Sequence, residues 1–498
     1  METLLQACRL VFDPTVLGVI LVSGLFGLFV GAVPGLTATM ATALLVPVTF
    51  VLPPVAAVAC IVTATAMAIF AGDIPGALLR MPGTPASAAY CDETYAMTRN
   101  GEAEQALGAT LVFSVAGGLF GTVVLVTTAP ALAEVALKFS SFEYFWLVLL
   151  GLTCAVFIAP GRPLKGLVSL GLGLLIACVG FENPAAYPRF TFGSEQLMSG
   201  FQLTPVMIGM FAVSEVIRFA VSPRLPLPAP PQHIGGIFRG QVGLLLKYPA
   251  QMLRGSALGT AIGALPGAGA DIAAWIAYGL SKRFSKTPEK FGTGHIEGII
   301  EAGAANNSAL AGAWIPALVF GIPGDSITAI AIGVLYLKGM NPGPAIFIEN
   351  PQNIYAVFIV FFIANLLMLP LGWAAIKTAK TVLRAPRNVL MPVILLFCVV
   401  GAFAINNSVF DVGVMLAFGL LAYFMEANGF PIAPTILGLV LGGMLEQNFV
   451  TSLIKADGNL AAFFMRPIAA TLGIATLLIW VLPWIIPRLR SKRAAPKL

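Results

Sequence analysis

Apolar runs of about 20 residues, separated by short polar segments, recur from one end of the chain to the other. A helix rises about 1.5 Å per residue, so a run of this length crosses the roughly 30 Å hydrocarbon core of a bilayer. The pattern predicts spans over roughly 16–33, 54–71, 106–129, 143–159, 164–181 and 203–220. Further spans are predicted over roughly 353–376, 389–405, 409–425, 432–446 and 465–487. Transmembrane β-strands would read as alternating segments of about 10 residues, and the chain shows none. The expected fold is all-α, a polytopic membrane protein. Two zones are not plain spans. Residues 31–50 and 72–92 are broken by Pro34, Pro47, Pro75, Pro82 and Pro85, and residues 263–347 by Pro266, Pro316, Pro323, Pro342 and Pro344. Proline removes a backbone donor and interrupts a helix. Interrupted backbone at membrane depth persists only where protein buries it or where it lines a wet cavity. Broken helices and re-entrant hairpins are therefore expected, with tips near 34–39, 82–87, 266–271 and 323–328.

The two broken zones match each other. Gly31-Ala-Val-Pro-Gly-Leu-Thr-Ala38 aligns with Gly263-Ala-Leu-Pro-Gly-Ala-Gly-Ala270 at an offset of 232 (263 − 31). Met81-Pro-Gly-Thr84 aligns with Ile322-Pro-Gly-Asp325 at an offset of 241 (322 − 81), which also places Tyr95 on Tyr336. Span 143–159 falls on 389–405 at 246 (389 − 143). A slowly growing offset over spaced motifs is the mark of an internal duplication. It divides the chain into a first repeat (9–220), a cytoplasmic linker with an amphipathic lead-in segment (221–254), a second repeat (255–447), and an extra C-terminal span with a basic cytoplasmic tail (463–498).

Composition narrows the class. Of 498 residues 58% are hydrophobic and 10% charged, against roughly 25% charged in a soluble protein. That excludes a soluble globule, a disordered chain and a nucleic-acid binder. The net charge of +6 comes from basic residues clustered at Arg218–Arg254, Lys282–Lys290, Lys377–Arg387 and Arg488–Lys497. Such clusters belong in cytoplasmic loops. With the first and third placed there, spans 106–129 and 353–376 run in opposite directions and the C-terminus is cytoplasmic. Two inverted-topology repeats are the usual architecture of a secondary transporter, with the site at their interface near the midplane. The six cysteines form no CxxC pair and read as small buried hydrophobes. Met1–Pro14 has no small-residue cleavage site, unlike a signal peptide.

The candidate chemistry sits at the breaks. Each Pro-Gly is followed by small and hydroxyl residues: Thr37, Thr39 and Thr42 after Gly35, Thr84 and Ser87 after Gly83, Ser326 and Thr328 after Gly324. A helix restarting there presents unpaired N–H groups and a positive dipole end, suited to a carboxylate or phosphate. The backbone following Gly35, Gly83, Gly267 and Gly324 is thus the candidate anion site, with Asn306 and Asn307 as polar companions in an apolar helix. Those amides are equally suited to bonding a neighbouring helix. Asp271 and Asp325 stand where the first repeat has Thr39 and Thr84. Each is a candidate ligand for a coupling Na⁺ or H⁺, or else an N-cap. Asp73 and Arg80 flank a further break, where they pair with each other or Arg80 faces an anionic substrate. Glu93, Glu102, Glu104 and Arg99 read as a solvated loop without a role. His233 and His295 lack companions for a metal site. Gly279-Leu-Ser-Lys-Arg lacks the spacing of a P-loop. No cofactor is expected beyond the coupling ion.

These motifs carry a family resemblance. Gly31-Ala-Val-Pro-Gly-Leu-Thr-Ala-Thr-Met40, Pro82-Gly-Thr-Pro-Ala-Ser-Ala-Ala89, Arg189-Phe-Thr-Phe-Gly193, Gly263-Ala-Leu-Pro-Gly-Ala-Gly269, Ala304-Ala-Asn-Asn307, Gly321-Ile-Pro-Gly324 and Asn341-Pro-Gly-Pro344 resemble the large permease subunit of the tripartite tricarboxylate transporters, from about residue 18 to 465. The resemblance implies a bacterial inner-membrane importer of organic di- and tricarboxylates driven by a proton or sodium gradient. It also implies a small membrane subunit of about four helices and a periplasmic solute-binding protein as partners. The chain departs from the family pattern at Asp73 (usually Ser), Arg80 (usually Asn), Asp271 and Asp325 (usually hydroxyl or small) and Gly303 (commonly Glu), with Glu301 two positions earlier as a substitute. The alternatives are a passive channel and an intramembrane enzyme on a lipid-linked or carboxylate substrate. A channel would not explain duplicated hairpins. An enzyme would need a convergent nucleophile or metal set, and Cys91 is the only candidate His or Cys in the broken zones, since His295 lies in a polar segment.

Overall fold

The computed structural model describes residues 2–33, 36–158, 162–181, 187–221, 236–383 and 387–493. Among them there is no strand, and a lone backbone bridge joins Gly180 to Arg189. In chain order the helices are α1 Glu2–Val11, α2 Pro14–Ala32, α3 Ala38–Thr49, α4 Pro54–Ala71, α5 Asp73–Leu79, α6 Cys91–Arg99, α7 Ala103–Ala136, α8 Ser141–Ile158, α9 Pro163–Ala177, α10 Leu203–Met207 and α11 Ser214–Val221. They continue with α12 Gln241–Lys247, α13 Pro249–Gly263, α14 Gly269–Phe284, α15 Ile296–Phe320, α16 Ser326–Leu337, α17 Ile346–Glu349, α18 Pro351–Val382, α19 Arg387–Asn406, α20 Val409–Ala427, α21 Ile432–Lys455 and α22 Pro467–Arg493. A π-helical stretch, Ile208–Val213, separates α10 from α11. Among the described residues seven helices are long and apolar enough to cross a membrane. The chain is a multi-pass membrane protein.

It divides into two compact units, Met1–Glu134 with Gln202–Asn428, and Val135–Phe201 with Gly429–Leu498. The second is held by α21 against α8 and α9, and by α22 against α8. Its polar ties are few and well made. Arg189 grips Glu446 with two bonds of 2.9 and 2.7 Å, Arg466 meets the buried Glu143 at 2.6 Å, and Trp146 Nε1 donates to the Phe463 carbonyl at 2.8 Å. The Glu446 bond raises the pKa of Arg189 further, so the guanidinium stays charged.

The first unit contains every broken helix. Its α2 starts where Asp13 accepts from the Thr15 amide at 2.8 Å and Pro14 takes the first helical position. The Thr15 side chain and amide hold the Asp13 carboxyl below its usual range. The window over α4 and α5 is buried throughout, and α15 is buried from Gly298 to Phe320. Both are predominantly apolar, as a helix surrounded by protein must be, and Asp73 in the first and Glu301, Asn306 and Asn307 in the second are buried exceptions. Their neighbours approach closely because the contact residues are small. Gly27 and Gly31 of α2 touch the carbonyls of Ala64 and Ala68 on α4, and Gly259 and Gly263 of α13 touch those of Ala305 and Ala309 on α15. Small residues let backbones meet where lipid supplies no hydrophobic drive between helices. The second set of contacts follows from the first by adding 232 to the glycines and 241 to the alanines (31 + 232, 68 + 241).

Candidate functional site

The two offsets recur at the breaks themselves. Arg80 ends α5 in the left-handed region at φ 55°, and Gly321 ends α15 there at φ 68°. The closing bonds correspond: Arg80 N to Gly76 O and Met81 N to Pro75 O, then Gly321 N to Ala317 O and Ile322 N to Pro316 O. A methyl group on Gly83 would lie 2.6 Å from the Gly31 carbonyl oxygen and 2.7 Å from Gly72 Cα. On Gly324 it would lie 2.6 Å from the Gly263 carbonyl oxygen and 2.7 Å from Ala313 Cα. Both glycines are therefore clamped between two backbones, where no side chain fits. The restart is also built twice. Thr84 and Ser87 exchange bonds, Thr84 N to Ser87 Oγ and Ser87 N to Thr84 Oγ1, both 3.1 Å. Asp325 and Thr328 do the same, with Thr328 N to Asp325 Oδ1 at 2.7 Å and Asp325 N to Thr328 Oγ1 at 2.9 Å. At Asp325 this is a capping box that starts α16, in which two otherwise unpaired donors are satisfied reciprocally; at Thr84 the same exchange fixes the turn before a short 3-10 helix, Ser87–Ala89.

Three of the four tips meet. The Ala86 amide donates to Asp271 Oδ1 at 3.2 Å, and Trp275 Nε1 donates to the Pro85 carbonyl at 3.1 Å, so the segment after Gly83 lies on the first turns of α14. Gly269, at φ 58°, sits against Asp325, where an added methyl would lie 2.7 Å from its Cβ. Gly267 N donates to the Gly324 carbonyl at 2.7 Å. Asp271, Pro82 and Pro85 are exposed, and Asp325, Ser326, Pro266 and Gly267 are partly so. The convergence thus has an open side. The fourth tip contributes through Gly31, whose carbonyl faces Gly83. Thr37 caps α3 by accepting from Met40 N at 3.1 Å, Thr39 is partly exposed one turn on, and Gly35 lies outside the described residues.

Asn306 and Asn307, adjacent in α15, part company. Asn306 Nδ2 donates to the Tyr90 hydroxyl at 3.2 Å, next to the tips, whereas Asn307 Nδ2 reaches Met368 Sδ on α18 at 3.4 Å. Arg80 does not pair with Asp73. It is exposed and bonds Asp92 at 2.9 Å, because the left-handed turn swings it away from the buried start of α5. Glu301 is fully buried and held by Arg254 through bonds of 2.6 and 2.5 Å, with the guanidinium 5.1 Å over the Phe284 ring.

Glu93 is not in a solvated loop. It is 0% exposed and accepts from Tyr278 Oη (2.7 Å), Gly292 N (2.5 Å), Gly294 N (2.8 Å) and His295 N (2.7 Å). Local sequence hid it because all four donors lie about 200 positions away. Of the cysteines, Cys60, Cys91, Cys154 and Cys398 are buried, while Cys8 and Cys178 are partly exposed.

Residues 17–437 match the family described as the tripartite tricarboxylate transporter TctA family. The chain belongs to that family. It is a transporter component, not an enzyme. It is 34% identical over 474 residues, 94% of this chain and 93% of the other, to a protein of Agrobacterium vitis described as an uncharacterized 52.8 kDa protein in the TAR-I ttuC' 3' region. A second Agrobacterium vitis protein, described as uncharacterized and in the TAR-II ttuC' 3' region, is 35% identical over 235 residues, 47% of this chain and 97% of that one. No solved structure matches the chain.

Proposed function

We propose that this chain is the translocating subunit of a secondary importer that carries organic di- and tricarboxylates across the bacterial inner membrane, with its C-terminus in the cytoplasm. A periplasmic solute-binding protein delivers the substrate, and a small membrane subunit of about four helices completes the complex. The two zones of matching contacts are the cores of two repeats of opposite membrane orientation, 9–220 and 255–447. The observation that carries the reading is the convergence of duplicated helix restarts on one open-sided place. Restarting helices offer amide donors and positive dipole ends to an anion. The substrate carboxylates are held by main-chain N–H groups that the caps leave free after Gly35, Gly83, Gly267 and Gly324, assisted by Thr37, Thr39 and Ser326, while Asn306 and Asn307 act indirectly through Tyr90 and Met368. Thr84 and Ser87 act by fixing their turn.

Coupling follows from charge. Asp271 and Asp325 stand side by side at the tips. A carboxylate substrate at about 4 Å from either one meets a repulsion of about 4 kcal/mol at an effective dielectric of 20. A bound Na⁺ or proton removes it and makes substrate binding conditional on the ion, a reciprocal coupling. Uptake of labelled carboxylates into proteoliposomes holding all three components, with sodium and pH varied separately, tests the reading. Accumulation above equilibrium only with an imposed ion gradient is expected. Equilibration without accumulation under every gradient would make the protein a channel.

A further inference from the structure

Asp73 opens α5 and is 1% exposed. The Tyr90 hydroxyl lies 2.6 Å from Asp73 Oδ1 and accepts from Asn306 Nδ2 at 3.2 Å. A hydroxyl that accepts from an amide points its one hydrogen at the carboxyl, so Oδ1 is served. The other carboxyl oxygen, Oδ2, is buried without a partner, and so is Asn306 Oδ1 on the far side of the same tyrosine.

Among the described residues nothing around Asp73 neutralises an ionised carboxylate. From α6, Cys91 gives its thiol to the Gly76 carbonyl at 3.4 Å, Asp92 is taken by Arg80, and Glu93 by Tyr278 and the 292–295 amides. From α15, Glu301 is taken by Arg254. Helix α2 has no charged residue, and in α4 the titratable group is Cys60, about 20 Å along the axis. The duplication offers no charge partner either, because the equivalent position (73 + 241) is Trp314. A buried carboxylate without a counter-ion is expensive and neutralises itself when it can. Hard divalent cations take six or more oxygen ligands, and no group of three acidic, His or Cys residues gathers among the described residues. One proton on Oδ2 removes the charge and supplies the missing donor.

We infer that Asp73, with Tyr90 and Asn306, is a proton-binding site joining the two broken zones, and that each transport cycle carries one proton on it. The proton binds when the first zone is open and is held while Tyr90 bridges α5 to α15. It leaves from the same carboxyl when that bridge parts on the other side. The inference rests on the transport reading. It assigns the proton to a sealed site, separate from the ion at the open tips.

Two measurements test it. The infrared spectrum of the purified wild-type protein at neutral pH should contain the carbonyl band of a protonated carboxylic acid, and Asp73→Asn should remove it while Asp271→Asn does not. A wild type without that band overturns the proposal whatever the variants do. In sodium-free proteoliposomes containing all three components, a panel of labelled di- and tricarboxylates should drive proton entry, read with a pH dye. Above the titration midpoint this should fall about tenfold per pH unit. Asp73→Asn should lose proton entry and its pH dependence while still exchanging labelled for unlabelled carboxylate across the membrane. Retained proton entry in Asp73→Asn overturns the site, as does wild-type uptake that runs on sodium with no proton movement. Absence of any carboxylate flux in the wild type, with the infrared band present, overturns the transport reading instead.

Discussion

Glu93 accepts from four donors, and three of them are main-chain amides of the segment between α14 and α15. Removing it strands those amides in a buried place, and each buried unsatisfied donor costs about 1–3 kcal/mol. Glu93→Ala should destabilise the protein by about 3 kcal/mol or more, and Glu93→Gln by less because one acceptor remains. Thermal unfolding in detergent, followed by exposure of Cys91, reads both. Equal stability of Glu93→Ala and wild type would mean that solvent replaces the four bonds. Gly83 and Gly324 are the other decisive single positions. Each is wedged against two backbones at 2.6 and 2.7 Å, and backbone cannot yield as a flexible side chain can. Gly83→Leu and Gly324→Leu should each abolish uptake by prising the tip from its helix pair. Folding should survive, since overpacking typically costs about 1–3 kcal/mol. Near-normal uptake in both would remove the tips from the substrate path.

Among the elements, α16 separates capping from ion binding. Asp325 caps it through the Thr328 amide at 2.7 Å. Asn caps a helix about as well as Asp, whereas Ala costs about 1 kcal/mol. Asp325→Ala should lower thermal stability, and Asp325→Asn should leave it close to wild type. If both variants are equally destabilised, the charge rather than the cap supports the fold. The helix pairs α2–α4 and α13–α15 owe their approach to glycine, and the same pairs hold the clamped tips. The distance between these helices is therefore part of the site, not only of the core.

For the whole molecule, the question is whether an ion gradient does work. The double variant Asp271→Asn with Asp325→Asn should keep its fold and exchange carboxylate. Its accumulation should depend at least tenfold less on the gradient of the ion at the tips, since about 1.4 kcal/mol of coupling corresponds to tenfold, while the proton carried on Asp73 is untouched. Full gradient-driven accumulation in the double variant would leave Asp325 as a cap and Asp271 as the acceptor of the Ala86 amide, and place the tip ion elsewhere.

Much of this was legible in one dimension because bilayers impose length and polarity locally. The spans at 54–71 and 409–425 reappear as α4 and α20, and Pro82, Pro266 and Pro323 mark real breaks. The constant offsets 232 and 241 hold for contacts as well as for letters, since a duplicated backbone path brings the same positions together. Side-chain partners follow a different logic. Asp73 and Arg80 are seven positions apart, yet they face opposite ways, because a left-handed residue at the end of α5 redirects the chain. Asn306 and Asn307 are neighbours, yet a helix turns them about 100° apart, one to Tyr90 and the other to Met368. Glu93 looked solvated because the groups that bury it arrive from residues 278–295. The sequence alone determined the solvent in which this protein folds, where its helices break and that the breaks come in pairs. Tertiary structure alone decided which charges are neutralised and which carboxyl oxygen is left without a partner, because neutralisation depends on distances of about 3 Å between segments that only packing brings together.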